Sequence, residues 1–455
     1  MSPNTVFPLG ERPRNEITER VVEHPRVTHH VQDDVLVLAI KDELLVHTSV
    51  RTGVAGLDQE LNRIADPSGS LWAGVAGGPP ALTGDVEKWT LKDKSDHSVD
   101  QARRLRQFTR DRRMRLGSGA ETLLAGVTPN HACIVMPFDH CPATPAHAVP
   151  PPSAARVREF IQPIRRGAPR AEVVVIDTGY IRTNPPHARL DARVRSIPGQ
   201  FFGSRGNRSA WVNCPPDTLD ADSDGKLDGI AGHGTFIAGI IASECRQCRI
   251  TAVGQRHGTA PLGPDLATDP QLFSSEYEVA RSLLLHSDAQ VVSCGFAFPT
   301  VDAHPSIAFV SAMDAIRARP SPGSEVAVVA PAGNEASAHP YWPAAHPDVI
   351  GVAAANRRGN GRAWFSNWGS WLDCCTRGQD VFSTFIYWNG PLDGAPPTDI
   401  EDFQGWARWN GTSFAAPKVA AAIANTYVAG GGNVSPLEAY RQLVSGGAGV
   451  SVWPL

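Results

Sequence analysis

Four polar side chains sit in stretches whose other residues are mostly small or apolar. Asp177 closes the apolar run in VVVIDTG, His233 stands between two glycines in AGHGTFIAG, Asn334 ends VAVVAPAGN, and Ser413 lies in NGTSFAAPK. Taken singly, each fits an ordinary role: an aspartate or serine capping a helix, a core histidine, an asparagine in a turn. As a set they supply a nucleophilic hydroxyl, an imidazole base, a carboxylate to orient that base, and an amide to donate to a developing oxyanion. That is the inventory for acyl transfer.

The elements that would position them follow from hydrophobic patterning. AEVVVID, AQVVSCGF, EVAVVAPAGN and VIGVAAA are apolar runs without two-residue alternation, interleaved with the helical patterns GTFIAGIIAS and AAPKVAAAIANTY. Strands that are apolar on both faces and alternate with helices predict an α/β fold, a doubly wound and mostly parallel sheet covered on both sides. In such sheets ligands sit at the carboxyl ends of strands and the amino ends of helices. All four polar residues fall at such ends.

The chain divides further by composition. Residues 1–30 read as a polar arm and 31–137 as a small α+β domain. In the latter, the strand DDVLVLAIKDELLV, the helix GVAGLDQELNRI, a Gly/Pro-rich break, the basic helix SVDQARRLRQFTRDRR and the strand HACIVMPF follow in order. The arginines of that helix read as a solvated face. PFDHCPATPAHAVPPPSAA is too rich in proline for helix or central strand, so 138–165 is predicted to be an extended linker, with the main domain at 166–455.

VIDTG, GHGTFIAG, PAGN and NGTSFAAP, in that order, resemble the four active-site motifs of the subtilisin-like serine proteases, and Asp, His, Ser is the chain order of that family's triad. The likeness extends to PYWPAAHPDVIGVAA and AWFSNWGSWLD and covers roughly residues 170 to 430. It implies a serine endopeptidase working through an acyl-enzyme. Ser413 would be the nucleophile, with Pro417 in the first turn of its helix, His233 the general base and then acid, Asp177 its orienting partner, and Asn334 an oxyanion donor. Ser293, Cys294 and Gly295, with Ala332 and Gly333, would line the pocket for the side chain before the scissile bond. A peptide or protein substrate would lie as an added strand.

The chain departs from the family at Lys418, where a histidine is usual, at TRGQD in place of Ala-Pro-Gly, and in the longer QRHGTAPLGPDLATDPQLFSSE stretch. The rival to an active protease is a catalytically silent subtilase fold that binds peptides or regulates. An acyl transferase or ligase on the same constellation would need water excluded from the acyl-enzyme. The resemblance also gives two readings of the N-terminal domain, a propeptide removed by cleavage or a permanent regulatory domain.

DADSDGKLD sets Asp220, Asp222, Asp224 and Asp228 with a glycine after the third, as in a calcium loop, but Ala231 stands where the loop's last glutamate belongs. Its alternative is a solvated acidic turn; the chemistry itself requires no cofactor. With 42 basic and 46 acidic residues the net charge is -4, which gives nucleic acid and anionic membranes no electrostatic grip. No apolar run reaches a membrane span, and MSPNTVFPLGERPRNE lacks the pattern of an export signal, so a cytoplasmic protein with reduced thiols is expected. Cys245 and Cys248 have C-x-x-C spacing without a second half to complete a zinc site, and read as helix-end thiols or a local disulfide. Cys374 and Cys375 read as core residues.

Overall fold

The computed structural model describes residues 27–454 except 33–34, 74–84, 94, 96, 112–125, 134–145, 183–186, 198–218, 220–224, 255–273, 319–324, 393–394, 396 and 446–452. Its centre is an eight-stranded sheet. Across it run β17 (Trp453–Pro454), β14 (Cys374–Arg377), β13 (Val349–Ala355), β12 (Ala327–Pro331), β11 (Val291–Cys294), β7 (Ala171–Asp177), β9 (Cys248–Gly254) and β8 (Val194–Ile197). All neighbours are parallel except β14 and β17. Every residue of β11, β12 and β13 is buried, as the unbroken Val/Ile/Ala runs require of strands covered on both faces.

The covering helices explain how the site is aimed. Residues His233 to Ala242 of the helix His233–Glu244 are all buried, so this helix has no polar side and is locked between the sheet and a hairpin, β15 (Val381–Gly390) with β16 (Glu401–Trp409). Gly239 permits the approach, because a Cβ there would lie 2.0 Å from the Thr384 hydroxyl. The helix Thr412–Ala429 is buried at every position from Thr412 to Ala424 except Lys418.

An antiparallel sheet forms from β1 (Val27–Gln32), β2 (Val35–His47), β3 (Ala65–Ser70), β4 (Val86–Leu91) and β5 (Val127–Cys133), and gains a sixth strand, β10 (Ser274–Ser275), from the main body. β10 leads directly into the helix Glu276–Leu285, where His131 of β5 meets the Glu276 carboxylate at 2.6 Å through Nδ1 and accepts the Val301 amide at 3.0 Å through Nε2. Those two partners fix a neutral ring protonated on Nδ1. The helix Ser98–Asp111 corrects the reading of its arginines as a solvated face. Arg103 and Arg106 pair with Asp302 at 2.6 and 2.7 Å, and the Arg106 side chain is only 3% exposed. A buried planar guanidinium fork suits such bonding.

Further differences concern the chain between the two sheets. Within 138–165, β6 (His147–Ala148) pairs with β16 and Ala154–Phe160 forms a helix. The run of prolines ends at Pro152 and the next, Pro163, lies beyond the helix; Ser153 caps the helix by accepting the Arg156 amide, so no proline falls inside it. Residues 27–30, assigned to the arm, belong to β1; the break after residue 64 holds β3 and β4; the rest of the arm lies outside the described residues. Cys245 and Cys248 form a disulfide, the second of the two readings given for that pair. Cys374 is buried in the main core, and Cys375 packs at its edge. Among the described residues no helix is long and apolar enough to cross a membrane.

Candidate active site

Asp177 is the last residue of β7 and fully buried. Its carboxylate accepts the Thr178 amide at 2.7 Å and faces His233 Nδ1, 2.8 Å from Oδ1 and 2.9 Å from Oδ2. A proton on Nδ1 thus lies between the ring and the carboxylate, leaving the Nε2 lone pair available as a base. Glycine makes this proximity possible. A Cβ on Gly234 would stand 2.1 Å from the Gly179 carbonyl, and one on Gly295 would stand 1.6 Å from Asp177 Oδ2. Gly232 adopts φ +77, a conformation that turns the chain into the helix headed by His233.

Ser413 is the second residue of Thr412–Ala429, at a helix terminus whose first amide groups have no intrahelical acceptor. The helix dipole places partial positive charge there. The His233 ring lies 5.2 Å, centroid to centroid, from that of Phe414, the residue after Ser413, and 5.6 Å from that of Trp409. The imidazole and the start of the helix that bears Ser413 therefore share one aromatic-walled corner. Pro417 lies inside the helix and not in its first turn. Its missing N–H is the donor that the Ser413 carbonyl would otherwise receive, which locally loosens the helix behind the serine.

Asn334 follows β12 through Ala332 and Gly333, the latter at φ +93. Its side-chain oxygen accepts from both the Thr412 amide at 2.8 Å and the Thr412 hydroxyl at 2.9 Å, and that hydroxyl accepts the Gly333 amide at 3.1 Å. A backbone N–H can meet only the oxygen of a carboxamide, so these contacts fix which end of Asn334 is which. The Nδ2 donors are turned away from Thr412. Thr412 was missed in the sequence; it is an inconspicuous neighbour of the serine until two distant segments meet.

Glu335 was missed as well. It is buried, accepts the Asn334 amide at 2.8 Å and Asn367 Nδ2 at 3.2 Å, and burial pushes its carboxyl up to about 7. Asn367 in turn accepts the amides of Glu335 and Ser337 and donates to the Ala332 carbonyl, pinning the loop around Asn334. A carboxyl raised from 4.5 to about 7 holds a proton in the folded state that the unfolded chain has released. Folding stability contributed by this group therefore falls as pH rises from about 4.5 to about 7 and does not return above it. Glu335→Gln, tested by thermal denaturation between those limits in a Ser413→Ala background, is expected to flatten that decline and to raise the melting temperature at pH 8 relative to its parent.

Of the other sequence candidates, Ser293 and Cys294 lie within β11 with side chains 1% exposed, and burial pushes the Cys294 thiol up to about 12, which makes it unreactive. Gly295 abuts Asp177, and Ala332 and Gly333 lead into Asn334. Asp220, Asp222 and Asp224 lie outside the described residues. Asp228 is buried, with its amide on the Leu219 carbonyl at 2.8 Å. Among the described residues no group of three or more His, Cys, Asp or Glu is arranged to hold a metal ion.

The sheet, the Asp–His pair at its carboxyl edge, the helix-borne serine and the tethered asparagine define an α/β fold of the kind built around a serine and a histidine–carboxylate pair. A profile of the subtilase family matches residues 170–444, and the chain belongs to that family. It is 28% identical over 289 residues to the thermophilic serine proteinase of Bacillus sp. (strain AK1), covering 62% of this chain and 59% of that protein. It is 27% identical over 256 residues to subtilisin BL of Lederbergia lenta, covering 56% of this chain and 74% of that one. Fervidolysin from Fervidobacterium pennivorans, a keratinolytic enzyme related to subtilisin, shares the fold with a TM-score of 0.53 at 18% identity, over 91% of this chain and 58% of its own. The chain thus spans about three-fifths of the length of the first of these relatives.

Proposed function

We propose that the protein is a serine endopeptidase that hydrolyses peptide or protein substrates through an acyl-enzyme on Ser413. The observation that carries this reading is the His233–Asp177 pair, with Nδ1 held by the carboxylate at 2.8 Å, beside the helix terminus that bears Ser413. Ser413 Oγ attacks the substrate carbonyl as His233 Nε2 takes its proton, and Asp177 stabilises the imidazolium. The oxyanion receives Asn334 Nδ2 and the Ser413 amide. Collapse expels the amine with the proton returned by His233, and water attacks the ester by the same route in reverse. The buried surroundings of Gly295, Ala332 and Gly333 would accommodate the substrate chain. Hydrolysis of an unfolded protein substrate, abolished in Ser413→Ala, tests the reading; a folded wild-type chain that binds peptides without cutting them would favour the silent alternative.

Asn334→Ala is expected to lower kcat about 100- to 1,000-fold with little change in KM, because the lost donor serves the transition state. Steady-state kinetics on a peptide substrate measure it. That magnitude was established on subtilisin and is carried here by the resemblance.

The N-terminal unit at 31–137 is assigned to the same system as a cap on the peptidase unit, propeptide-like or regulatory. What supports a specific docking is the Arg103–Asp302–Arg106 cluster, the His131–Glu276 pair and the packing of Val35 against Ala297 and Tyr341. Intact mass separates the two roles: a shortened wild-type chain with a full-length Ser413→Ala chain marks a propeptide, and an active full-length chain marks a permanent domain. A structural calcium at Asp220, Asp222, Asp224 and Asp228 belongs to this reading too, since Asp228 is three residues beyond Gly225 and five before His233. A chelator is then expected to lower the melting temperature, and an unchanged melting temperature removes the cation; no step of the chemistry passes through it.

A further inference from the structure

Behind the nucleophile's helix lies a cleft of about 790 Å³, a size typical of small-ligand sites, and its polar lining is dominated by cations. Arg156, Arg357, Arg377, Arg408 and Lys418 converge on it, against two carboxylates, Glu244 and Asp380. Asp380 is already committed, with Arg357 Nε at 2.9 Å and Arg408 Nη1 at 3.1 Å. Among the described residues, Arg156, Arg377 and Lys418 have no carboxylate within ion-pair distance. Apart from Ser153 and Ser243, the rest of the wall is apolar and aromatic: Phe160 and Phe382 meet edge to face at 5.4 Å, and Val381 and Ile240 lie alongside.

We propose that this cleft is a binding site for a small organic phosphate, a ligand with at least two phosphoryl charges and an apolar or aromatic body. Excess guanidinium groups around a concave wall supply the planar, paired donors that phosphoryl oxygens take up, and Phe382, stacked on Trp406 and lying under the Arg408 guanidinium, makes with Phe160 an apolar edge for the ligand's body. Lys418 is the distinctive element, standing where the resembling family has histidine. Its ammonium donates to the Arg377 carbonyl at 3.0 Å, and burial together with the Arg377 charge lowers its pKa to about 8. A dianion beside it would restore the full charge.

The cleft is wired to the candidate active site through the backbone. The Asp380 amide donates to Asn410 Oδ1 at 2.7 Å, and the Gly411 amide donates to the Gly378 carbonyl at 3.0 Å, three and two residues before Ser413. Asp380 itself holds φ +54, a left-handed conformation kept in place by its two arginines. A phosphate that recruits Arg357 and Arg408 alters the restraint on that turn.

Calorimetric titration of the full-length Ser413→Ala chain with inorganic pyrophosphate and with adenosine triphosphate tests the site without using catalysis, so its failure is separate from failure of the protease reading. Saturable one-to-one binding is expected, tighter for the nucleotide, and weakened about tenfold or more by Arg377→Gln and by Lys418→Met. Lys418→Arg should retain it, and Arg249→Gln, outside the cleft, should leave it unchanged. Absence of binding by a chain whose melting curve is intact overturns the proposal. So does binding that all four variants weaken equally or that none of them weakens.

Discussion

Replacing Ser413 with alanine is expected to reduce kcat by about a millionfold while leaving the melting temperature close to that of the parent. The size of the loss follows from the division of labour. On the proposed mechanism, without Oγ there is no acyl-enzyme, so the His233–Asp177 pair has no proton to move in the first step, and only the oxyanion donors and binding remain. The substitution is small and removes one hydroxyl at a 4% exposed site without opening a large cavity, which argues against unfolding as the cause. Progress curves on a peptide substrate, with circular dichroism as the control for fold, measure both quantities. The millionfold figure was established on subtilisin and is not obtained from this geometry. What the geometry contributes is the arrangement that makes the figure applicable.

Asp177→Asn carries the second largest expected effect, about 10,000-fold in kcat. An asparagine that keeps its oxygen on the Thr178 amide leaves that oxygen 2.8 Å from His233 Nδ1 and sets its NH2 2.9 Å from the same nitrogen. The full negative charge that favoured hydrogen on Nδ1 is gone, and the NH2 favours a bare Nδ1. The imidazole is then driven to the tautomer with hydrogen on Nε2, which cannot accept the serine proton. The fold should persist, because the side chain is nearly isosteric and its contact with Thr178 survives. A drop of only a few fold, with the same protein correctly folded, would mean that His233 is oriented by something other than this carboxylate.

The sequence disclosed the main sheet well because its strands are short unbroken apolar runs rich in Val and Ile: Val173 to Ile176 and Val349 to Ala355 are apolar on both faces, as strands covered on both sides require. The candidate site was legible for a related reason, since Asp177, His233, Asn334 and Ser413 each interrupt a small or apolar run at a strand or helix end. The β15–β16 hairpin, by contrast, mixes buried and exposed positions around a register shift between Thr384 and Tyr387, so its alternation is broken. Its pairing with β6 joins residues more than 250 positions apart, which no local pattern encodes. Thr412 and Glu335 escaped for the same reason. The bond from Thr412 to Asn334 spans 78 residues, and the charge state of Glu335 is set by burial and not by its sequence neighbours.

The basic helix was misread because composition gives charge without direction. Arg103 and Arg106 face Asp302 across nearly two hundred residues, while Arg104, at 51% side-chain exposure, pairs with Glu60. Pro417 was displaced by a turn because the helix begins at Thr412, closer to the serine's own side of the motif than capping rules alone would place it.

The central claim is that His233 and Asp177 activate Ser413 as a nucleophile. A serine-directed phosphonate, applied to the folded wild-type chain and followed by peptide mapping, reads this directly. The account predicts a single stoichiometric adduct on the peptide containing Ser413, absent in Ser413→Ala and formed far more slowly in Asp177→Asn. A folded wild-type chain that acquires no adduct, or acquires it on a different serine, would contradict it.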